Sequence, residues 1–337
     1  MKSRLTLLIS AIALVVAGCS PEEPFIDSFN DTWRLLTADR QGTVSVIDVP
    51  DQLAGGAVWT DPTDSAAHVM RRFRDKIFLL HSKRPWIVVF DADTLRTLDT
   101  IALSAEPGAS IAFANATTAY VTIPSRNLID VVDLTVNRVA RSITMTSRPM
   151  NIDANGNQLC VTLPDSNAVA IIDSRTLEVE TIIATAAVPW FVTSDPTSAQ
   201  FCIVSMGQGK VTPGAQTAAT MQFLNATTRT ITAPLELIPR GSTAIKTIPS
   251  GLVVSATQQA FVASNVALLR VSTRTRNRVT TVQPESMTWL SYNEARAELL
   301  AQLASSSAVA VYNANGDART QLVPLPAPTT SAIGIAP

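Results

Sequence analysis

The sequence predicts an all-β chain: a closed ring of seven four-stranded blades. Three observations predict it. First, one unit recurs. From Pro149 the chain runs through a strand-like Asn151–Ala154, a turn at Asn155-Gly156-Asn157 and an apolar run, Leu159–Leu163. A polar turn at Asp165-Ser166-Asn167, a second apolar run, Val169–Asp173, and a more polar Leu177–Ile183 follow, and the unit begins again at Pro189. Second, the end of the second apolar run falls at Asp48, Asp91, Asp133, Asp173, Asn225, Ser272 and Asn313, at intervals of 43, 42, 40, 52, 47 and 41 residues. A period of about 40 residues with several short strands per unit marks a β-propeller. Third, the chain is 46% hydrophobic but only 5% aromatic, and it is rich in Val, Ile, Thr, Ala and Ser, a balance that favours strands.

The elements follow in order. The chain enters the ring at a second strand, Arg34–Thr37, and a third, Val44–Ile47. First strands are expected at Ser110–Ala114, Asn151–Ala154, Phe191–Ser194, Thr243–Ile248 and Met287–Tyr292. Second strands are expected at Ile77–Leu80, Ala119–Ile123, Leu159–Leu163, Phe201–Ser205, Ala260–Ala263 and Leu299–Leu303. Third strands are expected at Ile87–Phe90, Ile129–Val132, Val169–Ile172, Met221–Leu224, Leu268–Val271 and Val309–Tyr312. These runs are nearly continuous in apolar residues, as expected where both faces of a blade are covered. A fourth strand such as Glu178–Ile182 alternates, as an outer edge with one wet face should. The chain stops on a lone first strand, Ser331–Ile335, which would complete the blade begun at Arg34 and hide the open edges of the ring. One domain over residues 33–337 is therefore expected.

Three motifs carry a resemblance. Tyr120-Val121-Thr122, Val44-Ser45-Val46-Ile47-Asp48 and the turn proline Pro149 match the strand, strand and turn of the YVTN-repeat (YncE-like) β-propeller family, a WD40-like repeat. The likeness spans nearly the whole of residues 33–337. It loosens in the last three units, where Asn225, Ser272 and Asn313 replace the aspartate. It implies the fold and an extracytoplasmic setting far more strongly than any activity.

The amino terminus has its own logic. Lys2 and Arg4 precede an apolar run from Leu5 to Val16 that ends in Val16-Ala17-Gly18-Cys19. This describes a secretory signal, too short for a spanning helix of about 20 residues. Its end resembles the lipobox of bacterial lipoproteins, which implies cleavage after residue 18, acylation of Cys19 and a lipidated tether over residues 19–32. Ser20 rather than Asp after the cysteine points to the outer membrane, facing the periplasm, in a double-membraned cell.

Few residues carry chemistry. The recurring aspartates read as Asx-turn caps in separate blades. Cys160 and Cys202 hold equivalent places in neighbouring units, about 10 Å apart and beyond the reach of a disulfide, so two buried thiols are expected. His68 and His81 lack partners at metal-ligand spacing, and no nucleophile elbow or phosphate loop appears. No metal, cofactor or catalytic residue is expected. A net charge of -1 disfavours nucleic acid.

One face of the ring should collect Arg40, Arg84, Trp86, Arg126, Arg148, Trp190 and the insertion at 207–219 with Lys210. Arginine forks and tryptophan faces suit an anionic ligand or a protein partner. Residue by residue the plainer reading is the stronger one: each Trp fills a gap between blades and each Arg is a solvated turn residue. Arg71, Arg72 and Arg74 form a second basic cluster at the far end of a first strand; a solvated turn is expected there, with a ring around the channel mouth as the alternative. The reading that follows is a monomeric, non-catalytic binding or scaffold protein held on the membrane by lipid. A lactonase-like hydrolase or quinoprotein-like oxidoreductase on the same ring is the alternative.

Overall fold

A computed structural model describes residues 33–39, 42–49, 53–60, 68–81, 83–207, 218–238, 247–325 and 329–335. They form seven sheets of four antiparallel strands. Among the described residues, apart from 3-10 turns at Pro124–Arg126 and Pro164–Ser166, the regular elements are all strands. Among the described residues no helix is long and apolar enough to cross a membrane. The fold is the seven-bladed β-propeller that the period predicts.

The blades follow chain order with one exception. Blade 1 joins Thr329–Ile335 to Arg34–Asp39, Thr43–Asp48 and Leu53–Thr60. Blades 2 to 7 each run outward through four consecutive strands, starting at His68, Ile111, Ile152, Pro189, Pro249 and Met287. In blade 1 the last strand pairs with the earliest described one, placing Leu36 opposite both Ile333 and Val46. The ring closes as the sequence predicts.

The packing explains the apolar runs. Buried residues fall into seven clusters, each shared by two adjacent blades. Successive side chains of a strand point to opposite faces. Ile77 and Leu79 therefore pack toward blade 1, while Phe78 and Leu80 pack toward blade 3. A second strand has no wet face, so it cannot alternate. Tyr120 and Tyr312 are fully buried in the same way. The Tyr120 hydroxyl crosses to the next blade and donates to Ser174 O at 2.9 Å.

The turn aspartates act as the sequence predicts. Asp91 accepts from the Thr94 N–H and hydroxyl, each at 2.7 Å, and Asp133 from those of Thr135 at 2.8 and 2.6 Å. Asp173 accepts from Arg175 N and its guanidinium. Asn225 serves identically toward Thr227 and Thr228. The cysteines also behave as expected. Both are buried and free. Cys160 faces the cluster between blades 4 and 5, and Cys202 the next one, between blades 5 and 6. A sheet lies between them, and burial pushes both thiols far above their ordinary value.

One strand lies elsewhere. The first strand of blade 6 is Pro249–Ser255; of the expected Thr243–Ile248, Thr247 and Ile248 precede it outside any strand, and residues 243–246 lie outside the described residues. The alternation from Thr243 to Ile248 mimicked a strand, while Pro249 and Gly251 masked the real one. Gly251 is there because a Cβ would stand 2.9 Å from Leu290 N, where the first strands of blades 6 and 7 approach closely.

Two outcomes test this fold. Ile333 is 8% exposed in the cluster that joins blade 1 to blade 2, whereas Leu322, on an outer strand, is 44% exposed. Ile333→Ala should cost about 2–4 kcal/mol in denaturant unfolding and Leu322→Ala no more than about 0.5 kcal/mol. Equal losses would contradict a closing strand. The second outcome concerns acid. Hydrogen bonds hold Asp91 (from Thr94) and Asp133 (from Thr135) below the ordinary carboxylate value, and those from Arg175 bring Asp173 to about 2. A depressed folded value contributes stability that is complete above the unfolded value of about 3.9 and lost as pH falls through the folded one. Thermal melts of Asp173→Asn, which keeps an acceptor, should fall less steeply than wild type between about pH 4 and 2.

Candidate functional site

The ring has two rims. First strands begin, and second strands end, at the upper rim; first and third strands end at the lower rim. The predicted arginine and tryptophan face lies on the upper rim. Arg40, Lys210 and most of the 207–219 insertion fall outside the described residues. Arg84 lies over the Trp86 ring, 5.4 Å from its centre. Trp86 is half-buried and packs against the cluster between blades 1 and 2, near His81, whose ring is 6.2 Å away. Arg126 is exposed on its 3-10 turn. Arg148 forms a bidentate pair with Asp165 at 2.9 and 2.7 Å, which holds Asp165 below the usual carboxylate value. Trp190 is half-buried at the start of the blade 5 first strand. Of the five described residues of this face, Arg84 and Trp86 are brought into mutual contact, and none of the five lines the axial cavity.

That cavity runs along the ring axis and encloses about 990 Å³. Strand register sets one layer of its surroundings. Ile333, Arg71, Ala112, Asp153, Thr193, Val253 and Ser291 stand opposite equivalent second-strand positions in blades 1 to 7. Because Ala112 is small, Arg71 of blade 2 reaches past blade 3. Its Nη1 donates to Ile111 O at 3.2 Å and its Nη2 to Asp153 Oδ1 of blade 4 at 2.9 Å. Asp153 Oδ2 accepts from Ser194 N at 2.8 Å, the Ser194 hydroxyl at 3.0 Å and the Thr193 hydroxyl at 3.2 Å, all in blade 5. One polar network thus ties four consecutive blades at the axis. The expectation of a solvated turn for Arg71, Arg72 and Arg74 fails for Arg71, which is drawn to the axis by a carboxylate two blades away. No local pattern linked Arg71 to Asp153; only the register of the complete ring does.

The chemistry of this network is structural. The side chain of Asp153 is 4% exposed and takes four donors, so it has no lone pair poised as a general base. Among the described residues no three His, Cys, Asp or Glu side chains converge as metal ligands. His81 is buried against Trp59, with ring centres 5.1 Å apart, as part of the core. Asp195 is also buried. Burial alone would raise it, but hydrogen bonds from Thr197, Gln200 and Thr273 outweigh that and hold it below its ordinary value. Through Thr273 it links blade 5 to blade 6.

The network can be tested by a pair of substitutions. Asp153→Ala leaves four donors without their acceptor and should cost about 3 kcal/mol. The Arg71 side chain is 41% exposed and water can replace its partner, so Arg71→Ala should cost about 1 kcal/mol. Equal losses in urea unfolding would show that Asp153 depends chiefly on Arg71 and not on blade 5.

No protein-family model matches the chain, and no curated protein matches it in sequence. Solved structures do match in shape. A chain of Kuenenia stuttgartiensis hydrazine synthase superposes with a TM-score of 0.61 at 12% identity, covering 74% of this chain and 76% of that one. A chain of the mitotic checkpoint complex gives 0.63 at 13%, covering 82% and 88%. Apo AztD from Citrobacter koseri gives 0.58 at 11%, covering 90% and 98%. At these identities the likeness shows the β-propeller fold and nothing finer.

Proposed function

We propose that the protein is a lipid-anchored, extracytoplasmic binding or scaffold propeller. Cys19 carries the acyl chains, residues 1–18 are the export signal, residues 19–32 the tether, and the ring begins at residue 33. Its place is the cell envelope, at the outer membrane facing the periplasm if the cell has two membranes. The upper rim, with Arg84, Trp86, Arg126, Arg148 and Trp190, receives a protein partner or an anionic ligand, and Arg40 and Lys210, outside the described residues, are proposed to join that face. The observation that carries this reading is the opposition of two features. Trp33 lies at the lower rim, since Arg34 pairs with Asp48 and Ile335, while the arginine and tryptophan face lies at the upper one. A tether over residues 20–32 extends at most about 45 Å. It would hold the lower rim toward the bilayer and leave the opposite rim free for a partner. A rigid ring carrying a long connection, between Ser205 and Thr220, is where binding surfaces concentrate. The shape shared with a chain of the mitotic checkpoint complex fits work within an assembly. The saturated Asp153 favours binding over turnover.

Two experiments bear on this. In the native cell, Cys19→Ser should abolish incorporation of labelled palmitate and move the protein from the membrane to the soluble fraction. Continued labelling would remove the anchor. Crosslinking in intact cells, with and without residues 207–219, should show the loss of at least one partner in the shortened chain. An unchanged set of crosslinks would take that loop out of the binding face.

A further inference from the structure

We infer that the lower mouth of the axial cavity is a binding site for a small carboxylate- or phosphate-bearing anion. The inference stands apart from the lipid anchor and from the upper rim. Four charged side chains line the cavity: Arg71, Arg72, Arg74 and Glu294. Three are arginines at the end of one strand, His68–Phe73, and in the turn after it, and a single carboxylate opposes them. The negative charge of Asp153 lies behind the wall, already committed to Arg71 and the blade 5 donors.

The arginines are held for the purpose. Arg71 spends one N–H of Nη1 on Ile111 O and one of Nη2 on Asp153, so its fork is fixed while its remaining donors are unspent. Arg72 Nε donates to Arg74 O at 3.2 Å, which leaves both of its terminal nitrogens available. The Arg74 guanidinium rests over the Phe73 ring, 5.5 Å from its centre, and Phe73 stacks on Phe113 of blade 3 at 4.2 Å. A guanidinium braced on an aromatic face loses less freedom when it meets an oxyanion.

A second observation comes from another part of the same wall. Asn293, at the end of the blade 7 first strand, is 5% exposed, lines the cavity, and its Nδ2 has no hydrogen-bond partner. It stands beside Gly334, where a Cβ would come within 2.4 Å of Nδ2. The missing side chain at 334 is what lets the amide sit there. A buried amide left unbonded costs free energy that an apolar residue of the same size would recover. Nδ2 itself is sealed beneath the cavity surface, so a ligand acceptor resolves that cost once the Asn293 side chain turns outward. Ser110, Asn151, Ser250 and Ser291 add polar groups along the wall. Carboxylate and phosphate match the planar donor forks.

Isothermal titration of the full chain in a nonionic detergent tests this, with citrate and inorganic phosphate as probes and glycerol as the uncharged control. One or both anions should bind with one-to-one stoichiometry, more weakly as salt rises, and glycerol should not. The anion that binds more tightly identifies the head group. Replacing both exposed arginines, Arg72→Gln with Arg74→Gln, should weaken binding at least tenfold with unfolding unchanged. Arg84→Gln on the upper rim should leave the affinity as it was. Asn293→Leu should raise the melting temperature yet weaken binding at least threefold, a split that a purely structural amide would not produce. No saturable binding of either anion, undiminished affinity in the Arg72/Arg74 or the Asn293 variant, or equal loss in Arg84→Gln would overturn the inference.

Discussion

The antiparallel pairing of Thr329–Ile335 with Arg34–Asp39 is the constraint on which the rest of the molecule depends. Without it blade 1 would lack its innermost strand, and two blade faces would lie open to water. Each apolar cluster belongs to two blades at once. Every blade is therefore stable only as a neighbour, and a ring is the arrangement in which each has two. The same logic accounts for a chain with few aromatic residues but many branched aliphatic ones, since thin, flat, two-sided layers call for side chains that fill evenly.

The second consequence is polar. Where first strands converge, backbone and small polar groups come too close to water-filled space to be covered by apolar packing alone. The chain meets this with bonds that pass between blades. Ser110 donates to Ile152 O and Ser250 to Met287 O, while the Arg71 and Asp153 network spans four blades. At the outer strands, Asn137 reaches Asp99, and Gln321 reaches Val49 across the closure. These bonds fix the angle between blades, which dispersion forces leave soft.

Much of the fold was legible in sequence because its signals are local and repeated. Asp91, Asp133 and Asp173 mark third-strand ends by capping the turn beyond them, and the marker survives as Asn225 and Ser272 because the turn needs only an acceptor. The first strand of blade 6 was misplaced where Pro249 and Gly251 answer to a neighbouring backbone, which no local pattern reports. The site was legible only in part. Arg84 and Trp86 share a turn and could be seen together. Arg71, Asp153 and Asn293 come from blades 2, 4 and 7, and a relation among residues so far apart in the chain exists only after closure.

Closure also sets a timetable. Leu36 meets Ile333 almost three hundred residues later, so the ring cannot close until that much chain has followed. Until Thr329–Ile335 emerges, the edge of Arg34–Asp39 remains unpaired and adhesive. Contacts of such long separation form slowly. A polypeptide truncated before Thr329 would keep that edge unpaired, a ready template for pairing with another chain.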